Sequence, residues 1–146
     1  MLHHESEKYA YPLLSSADRK IAERVWSELI QVLRTSDFKP SLVHGDLMGG
    51  NVLCDPAMHT LTGVLDWSDA RVADPAYDFA GVYSISRRLG AAALDSYRHD
   101  TTTVTKRAEL YLRTMPLRET AWGVKEGFRP AVNIGLNEFR RWTLHE

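Results

Sequence analysis

A chain of 146 residues, 44% of them hydrophobic, has the usual size of one domain and enough apolar material for a core, so a single domain over 1–146 is expected. The 18 basic and 19 acidic side chains leave a formal net charge of −1, which lacks the basic excess that binds nucleic-acid phosphates; nucleic acid is not an expected partner. The single cysteine, Cys54, excludes an internal disulfide, no run of ~18 apolar residues suggests a membrane span, and no apolar signal core opens the chain, so the expected compartment is the cytoplasm.

In chain order, residues 1–14 open with the polar stretch Met1 to Lys8 and are expected to be poorly ordered, with the adjacent His3 and His4 solvated rather than paired on a metal. Ser15-Ser16-Ala17-Asp18 predicts a capped helix start. Ile21, Val25, Leu29, Val32 and Leu33, widened by Trp26 and Ile30, carry that helix to about Thr35 as core-facing scaffold. Leu42-Val43 predicts a short strand entering a loop, Val52-Leu53-Cys54 the strand leaving it, and Leu61 to Trp67 its hairpin partner across the turn Asp55 to His59. On that strand Cys54 reads as an inert core thiol, because nothing cationic beside it would lower its pKa. Asp74 before Pro75 predicts an N-cap with proline at the first helical position, followed by the apolar Phe79, Val82, Tyr83 and Ile85. The remainder reads as helices from Gly90 to about His99, Thr103 to about Thr114, Leu117 to about Lys125 and Pro130 to about Trp142, broken near Thr101-Thr102, Met115-Pro116 and Gly127. The expected fold class is therefore α+β, mostly helical, with one small β-hairpin.

The chemistry concentrates between residues 44 and 66, in His44-Gly45-Asp46-Leu47-Met48-Gly49-Gly50-Asn51 and then Gly63-Val64-Leu65-Asp66. A His-x-Asp-x4-Asn run followed by an Asp at the end of the next apolar strand suits phosphoryl transfer, which asks the protein for positioning and charge neutralisation. Asp46 would accept the proton of an attacking hydroxyl. Asn51 and Asp66 would offer oxygen ligands to Mg2+ against nucleotide phosphates. Asn51 and Asp66 stand at the ends of the hairpin's two strands, so pairing in register would bring them toward Asp46. Asp69 reads either as a carboxylate facing a substrate cleft or as a solvated loop acid. Asp78 reads either as a surface acid favouring the helix dipole or as an inward acceptor for loop backbone.

With these residues in view, the chain resembles the aminoglycoside phosphotransferase family, small-molecule kinases that share a fold with protein kinases. The resemblance rests on His44 to Leu53, on Gly63-Val64-Leu65-Asp66-Trp67-Ser68-Asp69-Ala70, and on Asp74-Pro75-Ala76-Tyr77-Asp78-Phe79-Ala80. It implies the carboxy-terminal lobe of a kinase-like fold and a reaction that moves the γ-phosphoryl of ATP or GTP to a hydroxyl. It further implies that His44 braces the catalytic loop and that Asp78 supports it from the following helix. The leading acceptor is an aminoglycoside-like or other amine-bearing alcohol, toward which Glu119, Trp122, Glu126 and Glu138 are candidate contacts; taken singly, each reads more simply as a side chain on a solvated helix face. Gly135-Leu136-Asn137-Glu138 is a weaker echo of the closing helix in relatives that act on the double-primed ring.

The sequence also departs from that family. Met48-Gly49-Gly50 stands where relatives carry a polar or His-Pro-Gly stretch, and the paired glycines add freedom to a loop that must be rigid. No Gly-x-Gly occurs, and the lysines before the loop, Lys8, Lys20 and Lys39, do not resemble a phosphate-pairing strand lysine. A nucleotide-clamping amino-terminal lobe is therefore expected to be absent. Two alternatives follow: a catalytically inactive lobe acting as a binding or dimerising module, its open cleft covered by a second copy or a partner, and a metal-dependent phosphoesterase built on His44, Asp46 and Asp66.

Overall fold

The computed structural model describes residues 2–97 and 103–143. Helix dominates, in the order α1 (Leu2–Glu5), α2 (Ser16–Thr35), α3 (Ala76–Ile85), α4 (Arg87–Asp95), α5 (Val104–Lys125) and α6 (Arg129–Thr143). Four short strands, β1 (Ser41–Val43), β2 (Val52–Asp55), β3 (Thr60–Val64) and β4 (Arg71–Ala73), lie between α2 and α3. The chain divides into two compact units, one of residues 1–34 and 113–146, the other of residues 35–112.

In the first unit, α2 starts as its sequence dictates. The Asp18 amide donates to the Ser15 hydroxyl at 3.1 Å, and that hydroxyl donates to the Asp18 carboxylate at 2.8 Å, which is a reciprocal cap. Ala22, Val25, Trp26 and Leu29 are its buried residues, spaced at one helical face. In the amino-terminal segment α1 continues through a π-helical turn, Ser6–Ala10, and a 3-10 turn, Tyr11–Leu13, with Ser6, Ala10 and Tyr11 buried. The cause is aromatic packing, since the His3 ring lies 5.2 Å from that of Trp26 and 6.4 Å from that of Tyr11. Burial pushes the Tyr11 phenol up to about 12, with the charges of Glu7 and Glu23 adding to it.

Helix α5 does not break at Met115-Pro116 as expected; it runs through Pro116. The proline withholds one donor from its own helix, and the boundary between the two units falls one turn earlier, between Leu112 and Arg113. The expected stop at Gly127 is present and explains an exposed aromatic pair. Phe128 N–H donates to the Gly123 carbonyl at 2.8 Å and Gly127 N–H to the Val124 carbonyl at 3.3 Å, with Gly127 at φ +68, the two bonds of a Schellman cap. The apolar contact that accompanies this cap is Trp122 on Phe128, edge to face at 5.9 Å. Gly127→Ala is expected to lower stability by about 1 kcal/mol, because alanine is strained at that φ, as read by urea denaturation.

In the second unit the four strands form two antiparallel pairs, β1 with β4 and β2 with β3. The outer pair matches Ser41 to Ala73, Leu42 to Val72 and Val43 to Arg71; β4 was not expected, and three residues lacking clear alternation explain why. The inner pair is the expected hairpin, matching Val52 to Val64 and Asp55 to Thr60, with an irregularity between Leu53 and Cys54. Its second strand ends at Val64 rather than at Trp67. Cys54 is exposed, not a core thiol, because the outer part of the hairpin is solvated: Leu53 and Leu61 beside it are 44% and 64% exposed.

Beyond the strands, α4 begins at Arg87, three residues before the expected Gly90, because the Ser86 hydroxyl caps it by accepting from Leu89 N–H at 3.1 Å. Ala76 and Phe79 of α3 and Val104 and Ala108 of α5 are the buried core here, flanked by Tyr83, Ala93, Leu94, Tyr97 and Tyr111. Helix α4 ends at Asp95, with Ser96 as its C-cap, short of the expected His99; the expected break at Thr101-Thr102 lies outside the described residues.

Candidate active site

The nesting of the two strand pairs creates the site. The loop from β1 to β2 carries His44, Asp46 and Asn51, and the loop from β3 to β4 carries Asp66 and Asp69. Pairing of β1 with β4 and of β2 with β3 sets these two loops side by side, and Leu65 N–H donates to the Asn51 carbonyl at 2.8 Å.

Asp46 and Asn51 are in direct contact. The Asn51 amide nitrogen donates to both the Asp46 backbone carbonyl and the Asp46 Oδ2, each at 2.8 Å. Two acceptor oxygens on that nitrogen fix the orientation of the amide, which leaves the Asn51 carbonyl oxygen directed away from Asp46. The paired glycines beside it do not form an open coil: Gly49–Asn51 is a 3-10 turn.

His44 is 3% exposed and ties the two loops together. Its Nε2 meets the Leu65 carbonyl at 2.7 Å, while its Nδ1 accepts from the Asp46 N–H at 3.2 Å. These partners place the ring proton on Nε2, since a carbonyl can only accept and an amide only donate. The Trp67 ring packs on His44 with centroids 4.6 Å apart, and its indole N–H donates to the Val64 carbonyl at 3.1 Å.

Asp78 takes the inward of its two alternatives. From the first turn of α3 its carboxylate accepts from His44 N–H at 2.7 Å and from Gly45 N–H at 3.0 Å. Asp78→Ala is expected to cost about 2–3 kcal/mol, because two charge-assisted bonds disappear and two partly buried amides lose their acceptor; Asp78→Asn recovers part of this in the same urea titration.

Two glycines let these segments close on one another. Gly45 sits at φ +86, and a Cβ there would lie 2.4 Å from the Asp69 carbonyl oxygen, so both conformation and space demand glycine. A Cβ on Gly81 of α3 would lie 2.1 Å from the Leu47 carbonyl oxygen, so the helix backbone packs directly on the loop. The sequence marked Gly45 only as part of a motif and gave no sign of Gly81.

Asp66 stands in the left-handed region at φ 56, which aspartate tolerates better than most residues. Its Oδ1 accepts from the Ser68 hydroxyl at 2.7 Å and the Ser68 N–H at 3.4 Å. The Ser68 hydroxyl above all, and then its backbone amide, hold the Asp66 carboxyl below the usual carboxylate range, a group kept ionised. Asp69 is exposed; its backbone oxygen packs at Gly45 and accepts from Arg71 at 2.8 Å. Glu119, Trp122, Glu126 and Glu138 belong to the other unit, where all four are exposed.

Among the described residues no cluster of three or more His, Cys, Asp or Glu could alone hold a metal ion. That is compatible with magnesium, which takes one or two protein oxygens and completes its shell with phosphates and water. Chemically, the two loops present a carboxylate aligned by an amide, a second carboxylate held ionised by Ser68, and a buried histidine that joins the loops through the Asp46 N–H and the Leu65 carbonyl.

The chain is 28% identical over 135 residues to viomycin phosphotransferase of Streptomyces vinaceus, covering 89% of this chain and 45% of that protein. Its fold superimposes on the GDP complex of wild-type aminoglycoside 2'-phosphotransferase-IIIa with a TM-score of 0.81 at 19% identity, covering 96% of this chain and 48% of that one. On the GDP and kanamycin complex of APH(2")-IIIa the TM-score is 0.79 at 20% identity, covering 99% of this chain and 50% of that one. The chain thus spans about half the length of these relatives, and its fold is that of a kinase-like carboxy-terminal lobe. Residues 3–112, which include every strand and the whole site, match the phosphotransferase enzyme family, and the chain belongs to that family.

Proposed function

We propose that this chain carries the base and metal-holding half of a small-molecule kinase site that moves the γ-phosphoryl of ATP or GTP to a substrate hydroxyl. The observation that carries the reading is the double hydrogen bond from Asn51 to Asp46. It holds one carboxylate oxygen and leaves the other side of the carboxylate to meet an incoming hydroxyl. As the hydroxyl oxygen bonds to the γ-phosphorus, its proton passes to Asp46, the bond to the bridging oxygen breaks, and the nucleoside diphosphate leaves. Asn51, through its carbonyl oxygen, and Asp66 would hold Mg2+, which supplies charge neutralisation for the phosphates. His44 and Asp78 keep the loop in register, so that the hydroxyl is met in one geometry.

The acceptor we favour is an amine-bearing alcohol of the aminoglycoside kind. Support comes from relatives named for viomycin and for aminoglycosides, one of them in complex with kanamycin. Asp69, exposed at the rim of the loop, would attract a protonated amine. Among the described residues no helix is long and apolar enough to cross a membrane. The test is transfer of labelled γ-phosphoryl from ATP and GTP to kanamycin or viomycin by the full chain with magnesium, alongside hydrolysis of p-nitrophenyl phosphate. Labelled acceptor supports the kinase. Hydrolysis of the monoester without nucleotide replaces it with a phosphoesterase.

A second reading rests on a separate observation. Leu42 and Val72, paired directly across β1 and β4, are 71% and 72% exposed, an apolar surface of the kind that a partner covers. Under that reading the chain works as a binding or dimerising module, and sedimentation at micromolar concentration would show a complex with itself or with a second chain.

A further inference from the structure

We infer that Arg71 is a positioning residue for the loop that carries Asp46. Its effect on turnover rests on the phosphoryl-transfer reading; its effect on the loop does not. Arg71 lies opposite Val43 in the outer strand pair, so it stands beside the point where β1 becomes the His44-Gly45-Asp46 loop. Its Nη1 donates to the Asp69 carbonyl at 2.8 Å. Its guanidinium lies over the Tyr77 ring, with Cζ 4.9 Å from the centroid. Tyr77 is a fixed platform: it is 6% exposed, and the Tyr111 ring meets it edge-on at 5.3 Å. The same Nη1 lies 2.5 Å from where a Cβ on Gly45 would stand.

One guanidinium therefore joins three segments: the loop after β1, the loop before β4 and the first turn of α3. Its face covers an aromatic ring while its edge holds a carbonyl, a combination that the point charge of lysine does not reproduce. The need for it follows from Gly45. That residue must be glycine to adopt φ +86, yet a glycine next to the proposed base leaves the carboxylate free to swing. Arg71 and the Asp69 carbonyl fill the space on the open side of Gly45, so packing supplies the restraint that a side chain cannot. Arg71 is itself exposed, so its loss should loosen the loop more than the fold.

Amide hydrogen exchange of the full chain, followed by 1H–15N spectra, tests this in Arg71→Met and Arg71→Lys. In Arg71→Met the His44 and Gly45 amides, which donate to Asp78, are expected to exchange about tenfold faster or more, while Leu65 N–H in the hairpin stays within about twofold of the parent. Arg71→Lys is expected to show the same change, and decides the matter if Arg71→Met fails to fold. Gly45 exchange within about twofold of the parent in a folded variant overturns the inference. In a protein that transfers phosphate, Arg71→Met is further expected to lower kcat about tenfold with nucleotide KM unchanged. Faster exchange in a chain with no transfer activity counts against the kinase reading alone; an unaltered loop in an active protein counts against Arg71 alone.

Discussion

Asp46→Ala is expected to lower phosphoryl transfer by about 10²- to 10⁴-fold, the usual contribution of a positioned general base, with little change in stability. Two losses combine in that number. The attacking hydroxyl loses its proton acceptor, and the Asn51 amide loses one of the two oxygens that orient it. Stability is spared because Asp46 is exposed and His44, which joins the loops, bonds to the Asp46 backbone N–H rather than to its carboxylate; surface changes of this type usually stay within about 0.5 kcal/mol. Asp46→Asn separates the two roles, since it keeps an oxygen for Asn51 but accepts a proton poorly. Parental turnover in Asp46→Ala would remove the base assignment.

The largest effect on folding is expected at Asp74, which the sequence presented only as a helix cap. It does cap α3, accepting from Ala76 N–H at 3.0 Å, but the same carboxylate forms a two-pronged pair with Arg107 of α5 at 2.8 and 3.1 Å. Arg107 is 1% exposed; it also donates to the Thr103 hydroxyl and lies over the Phe38 ring at 4.8 Å. Nearby, burial, and after it the charge of Asp74, pushes the Tyr111 phenol far above its usual range. A group raised in this way stabilises the fold below the ordinary tyrosine range and loses that contribution as pH rises through its folded value, so at neutral pH the network is whole. Asp74→Ala leaves a guanidinium buried without its counter-charge, and we expect a loss of about 3–5 kcal/mol at pH 7. That is a large share of the ~5–15 kcal/mol that holds a typical domain together. Urea denaturation measures it. Replacing both partners with apolar residues, as in Asp74→Leu with Arg107→Met, is expected to be milder than the single change. A cost below about 1 kcal/mol for Asp74→Ala would show that the pair is solvated.

What the sequence revealed depended on how local the signal was. The cap at Ser15, the helix of α2, the β2–β3 hairpin and the Gly127 stop were all readable, because each is set by residues within a few positions of one another. The residues alone left both alternatives open for Asp78, whose partners His44 and Gly45 lie 34 and 33 positions away; only the resemblance favoured the inward one. The pairing of β1 with β4 was not, since three-residue strands carry no period. The second partner of Asp74 was hidden for a different reason: Arg107 is 33 residues away, and nothing local distinguishes it from a solvated helix arginine. Gly81 and Arg71 act through space alone, one by having no side chain and the other by filling the gap left by Gly45. Cys54 was misjudged because an apolar strand was assumed to have something packed on it, and the outer hairpin has not. The turns of residues 2–13 were not legible because mixed π and 3-10 turns show no 3.6-residue repeat, while the aromatic anchors His3, Tyr11 and Trp26 are spread over three elements.

The central claim is that Asp46, Asn51 and Asp66 form one metal–nucleotide phosphoryl-transfer site. Calorimetric titration of the full chain with ATP or GTP in the presence and absence of magnesium, repeated with Asp66→Ala, tests it most directly. We predict saturable, magnesium-dependent binding that Asp66→Ala abolishes while the protein stays folded, because Asp66 is exposed and, among the described residues, its carboxylate bonds only to Ser68. Nucleotide binding of equal strength in the parent and in Asp66→Ala, or no binding to a folded parent, would contradict the assignment.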